Sequence, residues 1–151
     1  MPSRNIADLD PRLQPLCREF LSLCQSKGVD AFITQTYRSD IEQDAAYAQG
    51  RTAPGKIVTN ARGGESPHNC VDVTGNPAAR AFDFAIKLPE GNLDWDASDK
   101  AWQTALATGI QLGLISGTSF KTLKDNPHME MADWKNVAPW DPKSVLSSPA
   151  A

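Results

Sequence analysis

Two histidines and a nearby supply of carboxylates mark where this sequence can do chemistry. His68 stands in Ser66-Pro67-His68-Asn69, and the stretch it opens runs on to Ala81-Phe82-Asp83-Phe84. His128 stands in Asp125-Asn126-Pro127-His128-Met129-Glu130. Two imidazoles and one carboxylate from separate segments make a three-ligand zinc site with a position left open for water, the layout of a catalytic centre, whereas structural zinc usually has four protein ligands. Asp83, between phenylalanines, is the favoured carboxylate. Asp72, four residues after His68, and the thiol of Cys70 are rivals, since thiolates also bind zinc well. Taken singly, each histidine reads as readily as a structural or surface residue.

Around these residues, the sequence predicts elements able to position them. Pro127 excludes helical geometry for Asn126, so His128 lies at or just after the start of an extended segment, Pro127 to Ala132. Period-two alternation then puts His128 and Glu130 on one face and Met129 and Met131 on the other. Ala81 to Leu88 reads as a strand carrying Asp83. Ala31 to Tyr37 is rich in strand formers and reads as the first strand.

Three helices are expected. Asp10-Pro11 opens the first, with Leu13, Leu16, Cys17, Phe20, Leu21 and Cys24 at helical spacing, Pro15 disturbing its start and Gly28 ending it. Ser39-x-x-Glu42 is a capping box that starts the second, with Ile41, Ala45 and Ala48 as its buried stripe and Gly50 as its stop. Trp102, Ala105, Leu106, Gly109 and Gly113 make the buried face of the third, where the two glycines allow close packing on the sheet. Residues 51–67 are loop-like. The class is α+β: helices packed on a small, mostly antiparallel sheet that carries the metal ligands. One domain spans 1–151, with a core of about 10–135 and a short Ser/Pro/Ala tail.

Composition narrows the partners. The chain has 151 residues, 40% hydrophobic and 22% charged, enough for one domain with a true core. Its net charge of -3 disfavours a nucleic-acid partner. No apolar run approaches membrane-spanning length, and the first residues lack the apolar core of a signal peptide, so synthesis in the cytoplasm without membrane insertion is expected. Three cysteines without a Cys-x-x-Cys pair give no disulfide framework; Cys17 and Cys24 read as core residues. Gly50 to Lys56 nearly spells a phosphate-binding loop, but Ile57 replaces the required hydroxyl residue and a helix precedes it.

Several motifs occur in one order: Thr36-Tyr37-Arg38-Ser39, Glu42-Gln43, Tyr47-Ala48-Gln49-Gly50-Arg51-Thr52, Pro54-Gly55-Lys56-Ile57-Val58-Thr59-Asn60-Ala61, Gly63-Gly64, Ser66-x-His68 and Asp125-x-Pro127-His128. Together they resemble the VanY-like L-alanyl-D-glutamate peptidases, the zinc endolysins of bacteriophages, over roughly residues 10 to 135. The resemblance implies that one zinc ion is held by His68, Asp83 and His128 and that Asp125 is the general base, with Glu130 as the alternative. It implies that Arg38 holds the substrate and steadies developing negative charge, and that Ser66 and Gln43 also serve substrate binding. In the family pattern the ligand aspartate follows the histidine by about seven residues. Here Asp83 follows His68 by fifteen, which implies a loop insertion within Cys70 to Ala79.

The implied partner is the peptidoglycan stem peptide, cut between L-alanine and D-glutamate by a monomer that waits in the host cytoplasm and acts in the periplasm at lysis. A D,D-carboxypeptidase or D-alanyl-D-alanine dipeptidase shares the same ligand set. A zinc-stabilised wall-binding module without catalysis is the remaining class.

Overall fold

The computed structural model describes residues 1–144; the Ser/Pro/Ala tail of the sequence lies mostly outside them. Three helices, α1 (Gln14–Ser26), α2 (Asp40–Ala48) and α3 (Lys100–Gln111), accompany five strands: β1 (Ala31–Gln35), β2 (Ala81–Lys87), β3 (Leu93–Asp94), β4 (Ile115–Ser116) and β5 (His128–Glu130). The strands form one antiparallel sheet in the order β1-β2-β5-β4, with β3 paired to the far end of β2. This is the α+β arrangement expected from the sequence.

β2 is the centre of the fold because its two faces carry different cargo. Phe82 and Phe84 face the helices, where Phe20 of α1 meets both rings at 5.5 and 5.1 Å and Trp102 of α3 lies 4.7 Å from Phe84. All four aromatic side chains are fully buried. Burial of each contributes roughly 1.5–3 kcal/mol, and edge-to-face ring pairs add about 0.5–1.5 kcal/mol. Alternation sends Asp83 to the opposite face, directly across from His128 of β5. Met129, the next residue of β5, returns to the helix side, and a Cβ on Gly109 would come within 2.7 Å of its sulfur. Gly109 thus permits close helix–sheet packing.

Several expectations need correction. α1 begins at Gln14 rather than at Asp10-Pro11, with Pro15 in its first turn, where a missing N–H costs nothing. Gly113 is exposed and lies past the end of α3 with φ +87°, so it terminates the helix and does not pack on the sheet. The inner face of α2 is polar: Ile41 is 82% exposed and Ala45 is exposed, while Gln43 is fully buried. The capping box of Ser39 and Glu42 is present as expected. Last, β5 is shorter than 127–132. Cys17 and Cys24 are buried free thiols, and burial pushes them up to about 12 and about 11.

Candidate active site

His68 is placed by a three-residue 3-10 turn, Pro67–Asn69, whose cap explains its sequence. The Ser66 hydroxyl accepts from the His68 N–H, and Asn69 Oδ1 accepts from the Ser66 N–H, both at 3.1–3.2 Å. Asn69 also accepts from Gly64 and donates to the Arg38 carbonyl, so one side chain ties the turn to both neighbouring segments. The turn is buried against the end of β1, where His68 Nδ1 donates to the Thr36 carbonyl at 2.7 Å. A carbonyl can only accept, so Nδ1 carries a hydrogen, and in the neutral ring Nε2 is the nitrogen left with a lone pair.

His128 is fixed the same way through its other nitrogen. Its Nε2 lies 2.8 Å from Glu130 Oε1, which leaves Nδ1 as the atom facing inward when the ring is neutral. Three atoms then converge: His68 Nε2 to Asp83 Oδ1 is 3.2 Å, His68 Nε2 to His128 Nδ1 is 3.2 Å, and His128 Nδ1 to Asp83 Oδ1 is 3.3 Å. Ligands about 2.0 Å from a tetrahedral ion stand about 3.3 Å apart by geometry, so the triangle has the size zinc needs. Both imidazoles and the carboxylate are largely buried. Each imidazole also has the outward hydrogen-bond partner that metal-binding histidines require. This donor set can hold a metal ion.

The electrostatics of the three side chains agree. Burial would depress His128, but Asp83, Glu130 and Asp125 outweigh it and push its pKa up to about 10. Burial would raise Asp83, yet the two imidazoles hold it well below the usual carboxylate range. A proton on His128 therefore occupies the place of a cation. Because the folded value is raised above 6.5, this protonation stabilises the metal-free protein fully below pH 6.5, and the contribution fades as pH rises toward about 10. Metal must displace that proton. At pH 7 we expect about one proton released per ion bound, and affinity rising about tenfold per pH unit. Titration calorimetry in buffers of different ionisation heat measures this directly.

The triangle forms part of the wall of a cleft of about 770 Å³. Asp125 lines it with Oδ2 3.7 Å from His128 Nδ1, outside the triangle, on a side chain 39% exposed. Burial and then the charge of Asp83 raise its pKa. Arg38 lines the cleft as well; its guanidinium donates to Gln43 Oε1 at 2.9 Å and to Gln35 Oε1. Gln43 is wholly buried behind Arg38 and is held in turn by the Ala61 carbonyl. Its place is behind the arginine, where it orients the guanidinium. Asp72 lies away from the site on an exposed turn, its carboxylate occupied by Thr74 and Asn76. Cys70 is a half-buried thiol whose pKa burial raises.

Gly117 sets the position of Asp125. A Cβ there would lie 2.0 Å from the Asp125 carbonyl oxygen and 2.9 Å from His128 Cβ. Gly117→Ala is expected to lower kcat/KM on the order of 100-fold by displacing both side chains, as read by steady-state kinetics. The sequence reading overlooked Gly117, Gln35, Asn69 and the Thr36 carbonyl. Of these, only Asn69 left a signal, a capping pattern with Ser66 three residues earlier.

No family model matches the chain. It is 36% identical over 132 residues to the peptidoglycan L-alanyl-D-glutamate endopeptidase CwlK of Bacillus subtilis (strain 168), a match covering 83% of this chain and 74% of that protein. The chain belongs to the L-alanyl-D-glutamate endopeptidase family. Among solved structures it shares its fold with the L-Ala D-Glu endopeptidase ChiX of Serratia marcescens, at a TM-score of 0.54 and 20% identity, over 87% of this chain and 88% of the other. For this family the His68, Asp83 and His128 cluster is the natural place to look for chemistry. Among the described residues, no helix is long and apolar enough to cross a membrane.

Proposed function

We propose that this chain is a zinc-dependent endopeptidase that hydrolyses the L-alanyl-D-glutamate bond of peptidoglycan stem peptides. The observation that carries the proposal is the triangle of ligand atoms His68 Nε2, Asp83 Oδ1 and His128 Nδ1, with Asp125 and Arg38 lining the same cleft. Membership of the endopeptidase family supports the substrate class. The motif resemblance to phage endolysins supports a role in host lysis, in which the enzyme gathers in the cytoplasm and reaches the wall from within.

When bound, zinc would supply Lewis acidity that makes hydroxide available near neutral pH, whereas free water has a pKa of about 15.7. The protein's own residues do the rest. Asp125 takes the proton of the attacking water and returns it to the leaving amine of D-glutamate. Arg38, braced by Gln35 and Gln43, keeps a fixed positive charge in the cleft for the oxyanion that forms at the L-alanyl carbonyl. Ser66 holds the His68 turn through its hydroxyl and lines the cleft beside it. Glu130 is committed to His128 Nε2, which suits it to orienting the ligand; Asp125 is the base.

Mass spectrometry of digested peptidoglycan tests the reading. Peptides with a free N-terminal D-glutamate, lost with chelator and restored by zinc, are the expected products. Release of free D-alanine would mark a D,D-carboxypeptidase, and wall binding without any new product would mark a binding module.

A further inference from the structure

Behind one wall of the cleft sits Arg80, only 5% exposed. Its main chain joins the segments of both histidines: its N–H donates to the Pro67 carbonyl at 2.8 Å, and its carbonyl accepts from Met131 N–H at 2.9 Å. Its side chain reaches elsewhere. Nη1 donates to the carbonyls of Trp134 and Val137, and Nη2 to that of Ala138 at 2.8 Å. The first of these carbonyls belongs to a 3-10 turn, Trp134–Asn136, whose residues line the cleft.

The charge of Arg80 is balanced by Asp10, which is fully buried. Asp10 Oδ2 lies 3.5 Å from Arg80 Nε, too far for a good hydrogen bond, and Nε is left without an acceptor. Arg12 takes both Asp10 oxygens at 2.9 and 2.7 Å and adds a second bond to the Ala138 carbonyl at 2.9 Å. Leaving a buried Nε unpaired is unfavourable. The guanidinium is thus aimed at the three carbonyls rather than at its counter-ion. The wall has little regular structure of its own, being one short turn entered through Asp133 in the left-handed region at φ +58°.

We propose that Arg80 is a positioning residue that fixes the Trp134–Asn136 wall against the histidine-bearing segments and thereby sets how tightly the stem peptide is gripped. This rests on the cleft being the substrate site. A planar guanidinium can serve several carbonyls in fixed directions, whereas the ammonium of lysine keeps the charge for Asp10 but not the fork. Arg80→Lys therefore separates charge balance from positioning.

Kinetics on a soluble stem peptide with Arg80→Lys, Trp134→Ala and the double variant, alongside zinc content and thermal melts, provide the test. Arg80→Lys is expected to raise KM about tenfold with kcat within about twofold of wild type. Its effect should shrink markedly in the Trp134→Ala background, since both substitutions act through one wall. Unchanged KM with only a lower melting temperature, or fully additive effects, would overturn the inference. Should Arg80→Lys not fold, Arg12→Lys removes one bond to Ala138; a smaller rise in KM supports the inference, and an unmoved KM overturns it. A wild-type protein that cuts no stem peptide defeats the functional reading itself, and this inference with it.

Discussion

Asp83→Ala is expected to purify with little zinc and to show no stem-peptide hydrolysis above background. Asp83 Oδ1 stands 3.2 Å from His68 Nε2 and 3.3 Å from His128 Nδ1, so it is the sole carboxylate among three converging donors. Removing even an outer hydrogen-bond partner of a metal ligand typically weakens metal binding about 10–100-fold, and losing a ligand outright should exceed that. The substitution also strips the metal-free site of the charge that most strongly favours protonated His128. Its pKa should fall from about 10. Metal analysis of the purified variant, with an NMR titration of His128, checks both effects.

Asp125→Asn should separate chemistry from metal binding. The side chains are nearly the same size, but an amide cannot take a proton. Loss of a general acid–base group lowers rates by about 10²–10⁴-fold, and kcat is expected to fall by that amount. Zinc content should stay at the wild-type level, because Asp125 Oδ2 lies 3.7 Å from His128 Nδ1 and outside the ligand triangle. Glu130→Gln should behave in the opposite way. It loosens the partner of His128 Nε2, so metal affinity should drop about 10–100-fold. Full activity in Asp125→Asn would move the role of base to another group, and single-turnover kinetics with parallel metal analysis would show it.

How much of this was legible in the sequence depended on whether a residue's environment was local. The capping box at Ser39 and Glu42, the extended segment after Pro127 and the sharing of a face by His128 and Glu130 all follow from short-range rules, and the structure shows each. Asp83 reached the cleft side because β2 alternates strictly, even though both faces of the strand are largely buried. The face of α2 was misread because its buried side chain, Gln43, serves Arg38 rather than the apolar core. Ile41 was left in solvent by the same choice. Gly113 obeyed a helix-termination rule where a packing rule had been applied. The bonds from the Arg80 side chain left no local mark, since their acceptors are backbone carbonyls more than fifty residues further along.

On this proposal one cation would be shared by His68 Nε2, Asp83 Oδ1 and His128 Nδ1, the three atoms that converge in the cleft. Anomalous diffraction across the zinc absorption edge, from crystals grown with zinc, observes that cation directly. A single strong peak per chain in contact with all three atoms, appearing only above the edge, is expected. A peak bound by other residues, or none at these three atoms, would contradict it.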